Sequence, residues 1–332
     1  MSMHPPLSTD ALAVFALTAG KSASGSSSDE PGERPTPLTP REWARLAATL
    51  ESLGATPSSL LNRSTQEVDH LVEGSAISAE VVMRLAGRAS TLAMEAERLQ
   101  SRGIWLLSIA DEAYPARLRS RLQASAPPIL YGAGDRSLLD RGGLAIVGAR
   151  DADAVALSFA SDAAAALARD GQQVVSGGAK GIDAAAMNSA ADAGGTVVGV
   201  IADSLERKAR SAAIRELISE ERLVLLSSYG SDVPFSVGTA MGRNRLIYCL
   251  ADAALVISST EGEGGTWAGA TEAIKARWVP VYARTGVGSP AGNTALVHLG
   301  AHSFDGPAAE AVGLTIAEVP EPESEGDRKS VV

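Results

Sequence analysis

Four short segments rich in glycine, arginine and lysine contain the residue types that bind phosphate groups. Glycine lets the backbone approach an anion closely, and the free N–H groups of a helix N-terminus attract negative charge. Arginine can hold a phosphate through two hydrogen bonds, whereas lysine adds a point charge. Anion binding is therefore the first chemistry to consider for this chain.

The first two segments each follow an apolar run that is typical of a buried strand. Gly148-Ala149-Arg150 directly follows Leu144 to Val147, so we expect Arg150 at the end of a strand. The segment 176–183 leads from a strand into a helix and matches neither the GxGxxG nor the GxxxxGK[ST] pattern. The alternatives are a surface arginine and a connector without a ligand. The phosphate-binding candidates in the second segment are Gly177, Gly178, Lys180 and Gly181.

The other two segments lie at the starts of predicted helices. In Arg243-Asn244-Arg245 the two arginines are two positions apart, so on a helix one can face the ligand and the other the interior. In the fourth segment Thr266 can cap a helix, and Trp267 can either stack on a base or pack in the core. The candidates of the fourth segment are Gly264, Gly265 and Thr266.

The elements around these segments predict an α/β fold. From residue 104 onward, short apolar strands alternate with helices, and this alternation is typical of a mainly parallel sheet covered on both faces. Ligands of such sheets bind beyond the carboxyl ends of the strands. All four segments follow such an end, so we expect them at one edge of the sheet.

The flanking regions suggest five parts of the chain. Before residue 103 the apolar spacing is helical; Thr39 is expected to cap a helix that starts at Pro40. Lys21 to Pro40 is rich in Ser, Pro and Gly, which predicts a flexible linker. The predicted parts are a short segment 1–20, the linker 21–40, a helical domain 41–102, a Rossmann-like domain 103–285 and a poorly ordered extension 286–332 with an acidic tail.

Composition argues against several classes of protein. A single cysteine, Cys249, rules out an internal disulfide framework, and four scattered histidines make a metal site unexpected. No apolar run reaches the ~18 residues of a membrane span, so we expect a cytoplasmic protein without a membrane partner. We find no nucleophile–base pair at interpretable spacing and no cofactor motif. The residues therefore favour binding over catalysis, without a metal or other cofactor.

The charge of the chain is unevenly distributed. The net charge is −10, which by itself argues against a protein coated in nucleic acid. From Ile104 to Arg284, however, 18 Lys and Arg stand against 20 Asp and Glu, so most of the excess acid lies in the flanks. A local basic surface in the middle of the chain is therefore compatible with the composition.

Together the motifs resemble the DprA/Smf family of DNA-processing proteins. The resemblance runs from about Ile104 to Ala283 and includes Ala126-Pro-Pro-Ile-Leu-Tyr131, the segment 146–150, the segment 176–183 and Gly242-Arg-Asn-Arg245. It implies an extended Rossmann-like fold, single-stranded DNA binding, loading of a RecA-type recombinase in DNA uptake and transformation, and a homodimer. By motif, the resemblance implies DNA contacts from Arg150, Lys180, Arg243 and Arg245, with Asn244 holding the loop.

The chain also departs from the family pattern. Met187 stands where the family usually has a histidine, Gly264-Gly265-Thr266 replaces a Ser-Gly-Ser element, and we expect no C-terminal winged helix. These departures suggest a divergent branch and leave open other DNA handling, including defence against foreign DNA. Gly264-Gly265-Thr266 with Glu272 also resembles the signature of lysine-decarboxylase-like nucleotide-processing proteins. Gly269 stands where their catalytic glutamate would be, so the alternative is nucleotide sensing rather than hydrolysis.

Overall fold

The strands are short runs of buried aliphatic residues that form one nine-stranded sheet. The structure is a computed structural model and describes residues 6–20, 36–231, 233–234 and 236–315. The strand order is β1-β2-β6-β5-β4-β3-β7-β8-β9. The strands are β1 Trp105–Ser108, β2 Ile129–Gly134, β3 Leu144–Gly148, β4 Val174–Ser176, β5 Val197–Val200, β6 Leu223–Ser227, β7 Ala253–Ser258, β8 Val281–Arg284 and β9 His302–Phe304.

The pairing confirms a mainly parallel sheet. β2 pairs antiparallel with β1 and β6, and all the other strand pairs are parallel. The helices are α1 Thr9–Thr18, α2 Pro40–Ser52, α3 Thr65–Val72, α4 Ala79–Ala86, α5 Ala89–Gln100, α6 Ala116–Leu122, α7 Ala154–Arg169, α8 Ile182–Asp192, α9 Leu205–Ala209, α10 Ala212–Ser219, α11 Val237–Leu250, α12 Gly264–Ala276 and α13 Ala291–His298.

Helices cover both faces of the sheet, which explains why its inner strands are mostly apolar. In β3, Leu144 and Ile146 pack into one core with residues of α7 and α8. The alternate residues Ala145 and Val147 pack into a second core with residues of α6, α11 and α12. A strand buried on both faces has no polar side to expose, and this is the pattern of a doubly wound parallel sheet. The predicted fold class is therefore confirmed.

The helices α1 to α5 are here called the helical region (residues 9–20 and 36–102), and α1 and α5 pack it against the β1–β2 edge of the sheet. Phe15 of α1 meets Tyr131 of β2 edge to face, with ring centroids 6.2 Å apart. The predicted cap of α2 is present: the Thr39 hydroxyl accepts from Glu42 N–H, and the Glu42 carboxylate accepts from Thr39 N–H. α1 thus joins the helical region rather than standing apart from it.

The expectation of a poorly ordered extension after residue 285 is wrong for residues 291–315. α13 and β9 follow β8, β9 pairs in parallel with β8, and a 3₁₀ helix spans Ala308–Thr315. These elements escaped the sequence analysis because β9 is three residues long and polar on its exposed side, and because α13 contains Gly292 and Asn293. Residues 21–35 of the predicted linker 21–40 and the acidic tail at 316–332 lie outside the described residues, whereas Leu38 in the last part of that linker is buried and Pro40 already begins α2.

Candidate functional site

Residues of all four segments line one cavity at the carboxyl edge of the sheet. β4, β3 and β7 are neighbours and parallel, so the loops that follow them lie side by side. Residues of these loops, together with residues along α11, line a cavity of about 720 Å³. Such a volume lies within the ~300–1,000 Å³ that is usual for small-ligand sites. This arrangement fits the expectation from the sequence that all four segments lie at one edge of the sheet.

The loops after β3 and β4 contact each other through glycine. Gly181 has φ +81°, and a Cβ placed on it would lie 2.4 Å from the Ala149 carbonyl oxygen. A Cβ on Gly148 would lie 2.6 Å from a side-chain carbon of Ile182, the first residue of α8. Larger residues would separate the two loops, so the glycines are needed for close packing as well as for any approach to an anion.

The loops after β3 and β4 each present one exposed cation. Arg150 follows Ala149 at the end of β3, and Lys180 lies beside Gly181 at the start of α8. Both side chains face solvent at the same edge of the sheet, whereas Gly177 is buried and Gly178 is half-buried. This pair supplies the positive charge that is accessible to a ligand on this part of the edge.

Arg243 lies below this surface rather than on it. It is only 5% exposed, and its Nη1 lies 3.5 Å from Oδ2 of the equally buried Asp183. Among the described residues, neither its Nε nor its Nη1 has a hydrogen-bond partner. A Cβ on Gly177 would lie 1.2 Å from Nη1, so the guanidinium fits directly against the backbone of the β4 loop. Burial raises the pKa of Asp183, and the neighbouring Arg243 partly opposes that rise.

The next two residues of α11 point in other directions. Asn244 donates from Nδ2 to the Gly265 carbonyl at 2.9 Å and so ties α11 to the first turn of α12. Arg245 is half-exposed and forms an ion pair with Glu272 at 2.8 Å. It lines a second cavity of about 400 Å³ between the helical region and the sheet. The structure therefore does not bring Arg245 together with Arg150 and Arg243 in one cavity.

The fourth segment forms the first turn of α12. The helix begins at Gly264, with φ +78°, and its N-cap is Glu263 without a side-chain cap bond. The expectation that Thr266 caps the helix is wrong, because Thr266 lies inside the first turn. Gly265 is exposed, Thr266 is half-buried, and both line the cavity. Trp267 packs against the core, as one of the two interpretations expected, and it also lines the cavity, while stacking on a base stays a prediction.

The structure adds two residues that sequence reasoning missed. The hydroxyl groups of Tyr248 and Ser259 are buried and have no hydrogen-bond partner in the part of the chain that the structure describes, and both residues line the cavity. Burial, together with the nearby Asp183, raises the pKa of the Tyr248 hydroxyl. Buried polar groups usually have partners. No sequence signal separated Tyr248 from the apolar residues around it in α11.

The charge of the cavity is mixed rather than uniformly basic. Its lining contains the cations Arg150 and Arg243 and the acids Asp151, Asp183 and Glu263.

Within the described ranges, no group of three or more His, Cys, Asp and Glu residues is arranged to hold a metal ion. Over the same residues, no helix has the length and apolar character needed to cross a membrane.

Comparison with known proteins gives a consistent result over this region. The family model of DNA recombination-mediator protein A matches residues 105–309, which contain the whole sheet and all four segments. A protein of Mycobacterium tuberculosis assigned as DNA processing protein DprA is 29% identical over 283 residues, covering 80% of this chain and 70% of that relative.

Two solved structures share the fold. The DprA structure of Streptococcus pneumoniae aligns with a TM-score of 0.66 and 23% identity, over 83% of this chain and 94% of that chain. The DprA structure of Helicobacter pylori, which is described as binding single-stranded DNA in a unique mode, aligns with a TM-score of 0.53 and 23% identity. It covers 64% of this chain and 95% of that chain.

Proposed function

The chain belongs to the family of DNA recombination-mediator protein A, the DprA family, and on this premise we propose that it binds single-stranded DNA along the carboxyl edge of its sheet. The observation that carries the proposal is the convergence of three glycine-containing loops at that edge, with Arg150 and Lys180 exposed on two of them. Phosphates of the strand would bind the loop N–H groups and these two cations.

The remaining predicted site residues take different roles in this proposal. Arg243 supports the Gly177–Gly181 loop from below and adds positive potential, while Asp183 holds it in place. Asn244 positions Gly264, Gly265 and Thr266 at the start of α12. Arg245 contacts the strand from the other side of α11. Because phosphate contacts carry no base information, binding should be largely independent of sequence.

We further propose that the bound strand is passed to a RecA-type recombinase and that the protein acts as a homodimer and as a binding protein rather than an enzyme. The related DprA proteins are DNA-processing proteins, and this supports the role in DNA handling. Transformation and defence against foreign DNA are both compatible uses of such an activity.

Fluorescence anisotropy of a labelled single-stranded oligonucleotide tests the proposal. Arg150→Ala combined with Lys180→Ala should weaken binding and lower its salt dependence by about 1.4 in the slope of log affinity against log salt, because each lost phosphate contact on a single strand removes roughly 0.7. Arg141→Ala combined with Arg169→Ala is the matched control. It removes the same charge from exposed residues at the opposite edge of the sheet. Equal effects of the two double variants would contradict the assigned site.

A second candidate function is the sensing of a free nucleotide. It is favoured by the size of the cavity, by Trp267 in its lining and by the unpartnered Tyr248 hydroxyl. In the same assay, unlabelled nucleoside monophosphates serve as competitors against unlabelled strand and duplex. Complete displacement of the oligonucleotide by a mononucleotide at comparable concentration would favour this second function over strand binding.

A further inference from the structure

A cluster of basic residues joins the helical region to the carboxyl edge of the sheet. Glu206 in α9 is approached by three arginines: Arg210 at 2.5 Å, Arg98 at 3.7 Å and Arg102, which forms the tightest contact. Arg98 lies in α5 and Arg102 directly after it, whereas Arg210 directly follows α9. One carboxylate is thus shared by guanidinium groups from two distant parts of the chain.

The cluster carries more positive than negative charge, and three of its five cations are exposed to solvent. Asp203 accepts ion pairs from Arg207 and Lys208, and Glu95 pairs with Arg98. The side chains of Arg207, Arg210 and Arg102 are 75%, 64% and 44% exposed. The cations are Arg98, Arg102, Arg207, Lys208 and Arg210, against the acids Glu95, Asp203 and Glu206.

This cluster is contiguous with the proposed strand-binding edge. β5 is the parallel neighbour of β4, and α9 begins shortly after β5 ends. A Cβ on Gly178 would lie 3.3 Å from the Ile201 side chain. The loop after β5 therefore contacts the Gly177–Gly181 loop after β4. Glu206 N–H donates to the Ser231 carbonyl, which fixes α9 to the loop after β6.

We propose that the cluster, here called the α5–α9 surface, is a second binding site for the phosphate backbone of the strand held at the carboxyl edge. The inference rests on the proposed function and extends it by giving the helical region a part in binding. Arg102, Arg207 and Arg210 each pair with these carboxylates through one terminal nitrogen, and a guanidinium has five N–H donors, so their exposed parts have further donors for a phosphate. Guanidinium binds phosphate oxygens through two parallel hydrogen bonds.

The dimensions set the length of strand that reaches both sites. From Arg150 after β3 to the far end of α9 the path crosses two strand spacings and one short helix, roughly 15–20 Å. A fully stacked strand, at the duplex rise of ~3.4 Å per nucleotide, needs about five nucleotides to cover this distance, and a more extended single strand needs fewer. A shorter strand can occupy the carboxyl edge alone, whereas a longer one also covers the α5–α9 surface.

Salt-dependent binding of short and long oligothymidylates separates the two sites. The variant Arg102→Ala, Arg207→Ala, Arg210→Ala is compared with wild type on strands of about 2 and about 16 nucleotides, of which the shorter cannot span both sites. We expect the salt slope for the longer strand to fall by about 2, from three contacts at roughly 0.7 each, with no change for the shorter strand. The matched control, Arg141→Ala, Arg169→Ala, Arg277→Ala, removes three exposed arginines at the opposite edge of the sheet and should leave both slopes unchanged.

The alternative is that the arginines only clamp the helical region to α9. A clamp predicts that the triple variant unfolds more easily while the folded protein binds the longer strand as wild type does, and this result would overturn the proposal. The single variant Arg207→Ala keeps the test valid if the triple variant does not fold. Its 75% exposed side chain pairs only with Asp203 among the described ion pairs, so we expect Arg207→Ala to fold as wild type does. It should lower the longer-strand slope by about 0.7. Equal losses on both strand lengths also overturn the second site, and no binding by wild type overturns the proposed function itself.

Discussion

At the scale of single residues, the pair formed by Asp183 and Arg243 determines the inner surface of the site. Both side chains are buried, and the guanidinium lies against the backbone of Gly177. Breaking a buried pair from one side leaves an uncompensated charge in a region of low polarity. The two partners differ in how they can respond, because a carboxylate can take up a proton and arginine stays charged.

Arg243→Ala should therefore destabilise the protein in a pH-dependent way. Burial already raises the pKa of Asp183, and loss of Arg243 removes the charge that opposes this rise. A raised carboxyl pKa contributes stability at low pH that is lost as the pH rises through the folded-state pKa. The variant should lose about 3 kcal/mol of unfolding free energy at neutral pH, and the loss should shrink as the pH falls toward the normal range of aspartate. Urea unfolding at several pH values measures this.

The control for that prediction is Arg243→Ala combined with Asp183→Asn, which removes the titrating group. Its stability difference from wild type should depend much less on pH than that of Arg243→Ala alone. A single variant whose deficit stays constant down to acidic pH would show that Asp183 is not the group responsible.

Residue spacing predicted the different directions of Arg243 and Arg245, which are part of this arrangement. Two arginines two positions apart on a helix were expected to diverge, and Arg243 and Arg245 do line different cavities. Which of them is buried could not be deduced, because the deciding partner, Asp183, is distant in sequence. Tyr248 and Ser259 were missed for the same reason: their places beside the cavity depend on how α11 and β7 pack.

At the scale of elements, Asn293 holds α13 against the sheet. Its Nδ2 is fully buried and donates to the carbonyls of Arg284 at 2.7 Å, Ile257 at 3.0 Å and Val256 at 3.3 Å. These carbonyls lie at the ends of β7 and β8, where the pairing between these two strands ends. The side chain therefore links the last helix to the edge of the sheet that contains the site.

Asn293→Ala should lower the free energy of unfolding by roughly 2–3 kcal/mol, because it leaves buried carbonyl groups without their donor. Urea unfolding followed by circular dichroism measures the change. The matched control is Asn188→Ala in α8, whose side chain is exposed and should be neutral or slightly stabilising. Similar losses for both variants would contradict the anchoring role of Asn293.

Element periodicity predicted the alternating core of the fold but not its end. The strands from β3 to β8 are apolar because both of their faces are buried, and such runs are readable in sequence. β9 and α13 could not be predicted from the sequence in this way. They are specified by pairing with β8 and by the hydrogen bonds of Asn293 rather than by a local apolar pattern. The capping residues of α2 were readable because a capping box is a local motif.

At the scale of the whole molecule, an acidic chain carries a local group of exposed cations along the carboxyl edge of its sheet. The net charge of −10 disfavours general attraction of nucleic acid. Binding must then come from local potential at Arg150, Lys180 and the neighbouring α5–α9 surface. We therefore expect affinity to fall steeply with salt even though the molecule as a whole is negative.

Hydrogen–deuterium exchange with and without a saturating oligothymidylate tests the central claim most directly, because it locates the strand on the fold. The account predicts that binding slows exchange in the peptides that contain Gly177–Gly181 and Gly264–Thr266. Exchange at Gly142–Gly143 and Gly171–Gln172, at the opposite edge of the sheet, should remain unchanged. Saturated binding without protection of the two glycine loops, or with protection confined to the opposite edge, would contradict the account.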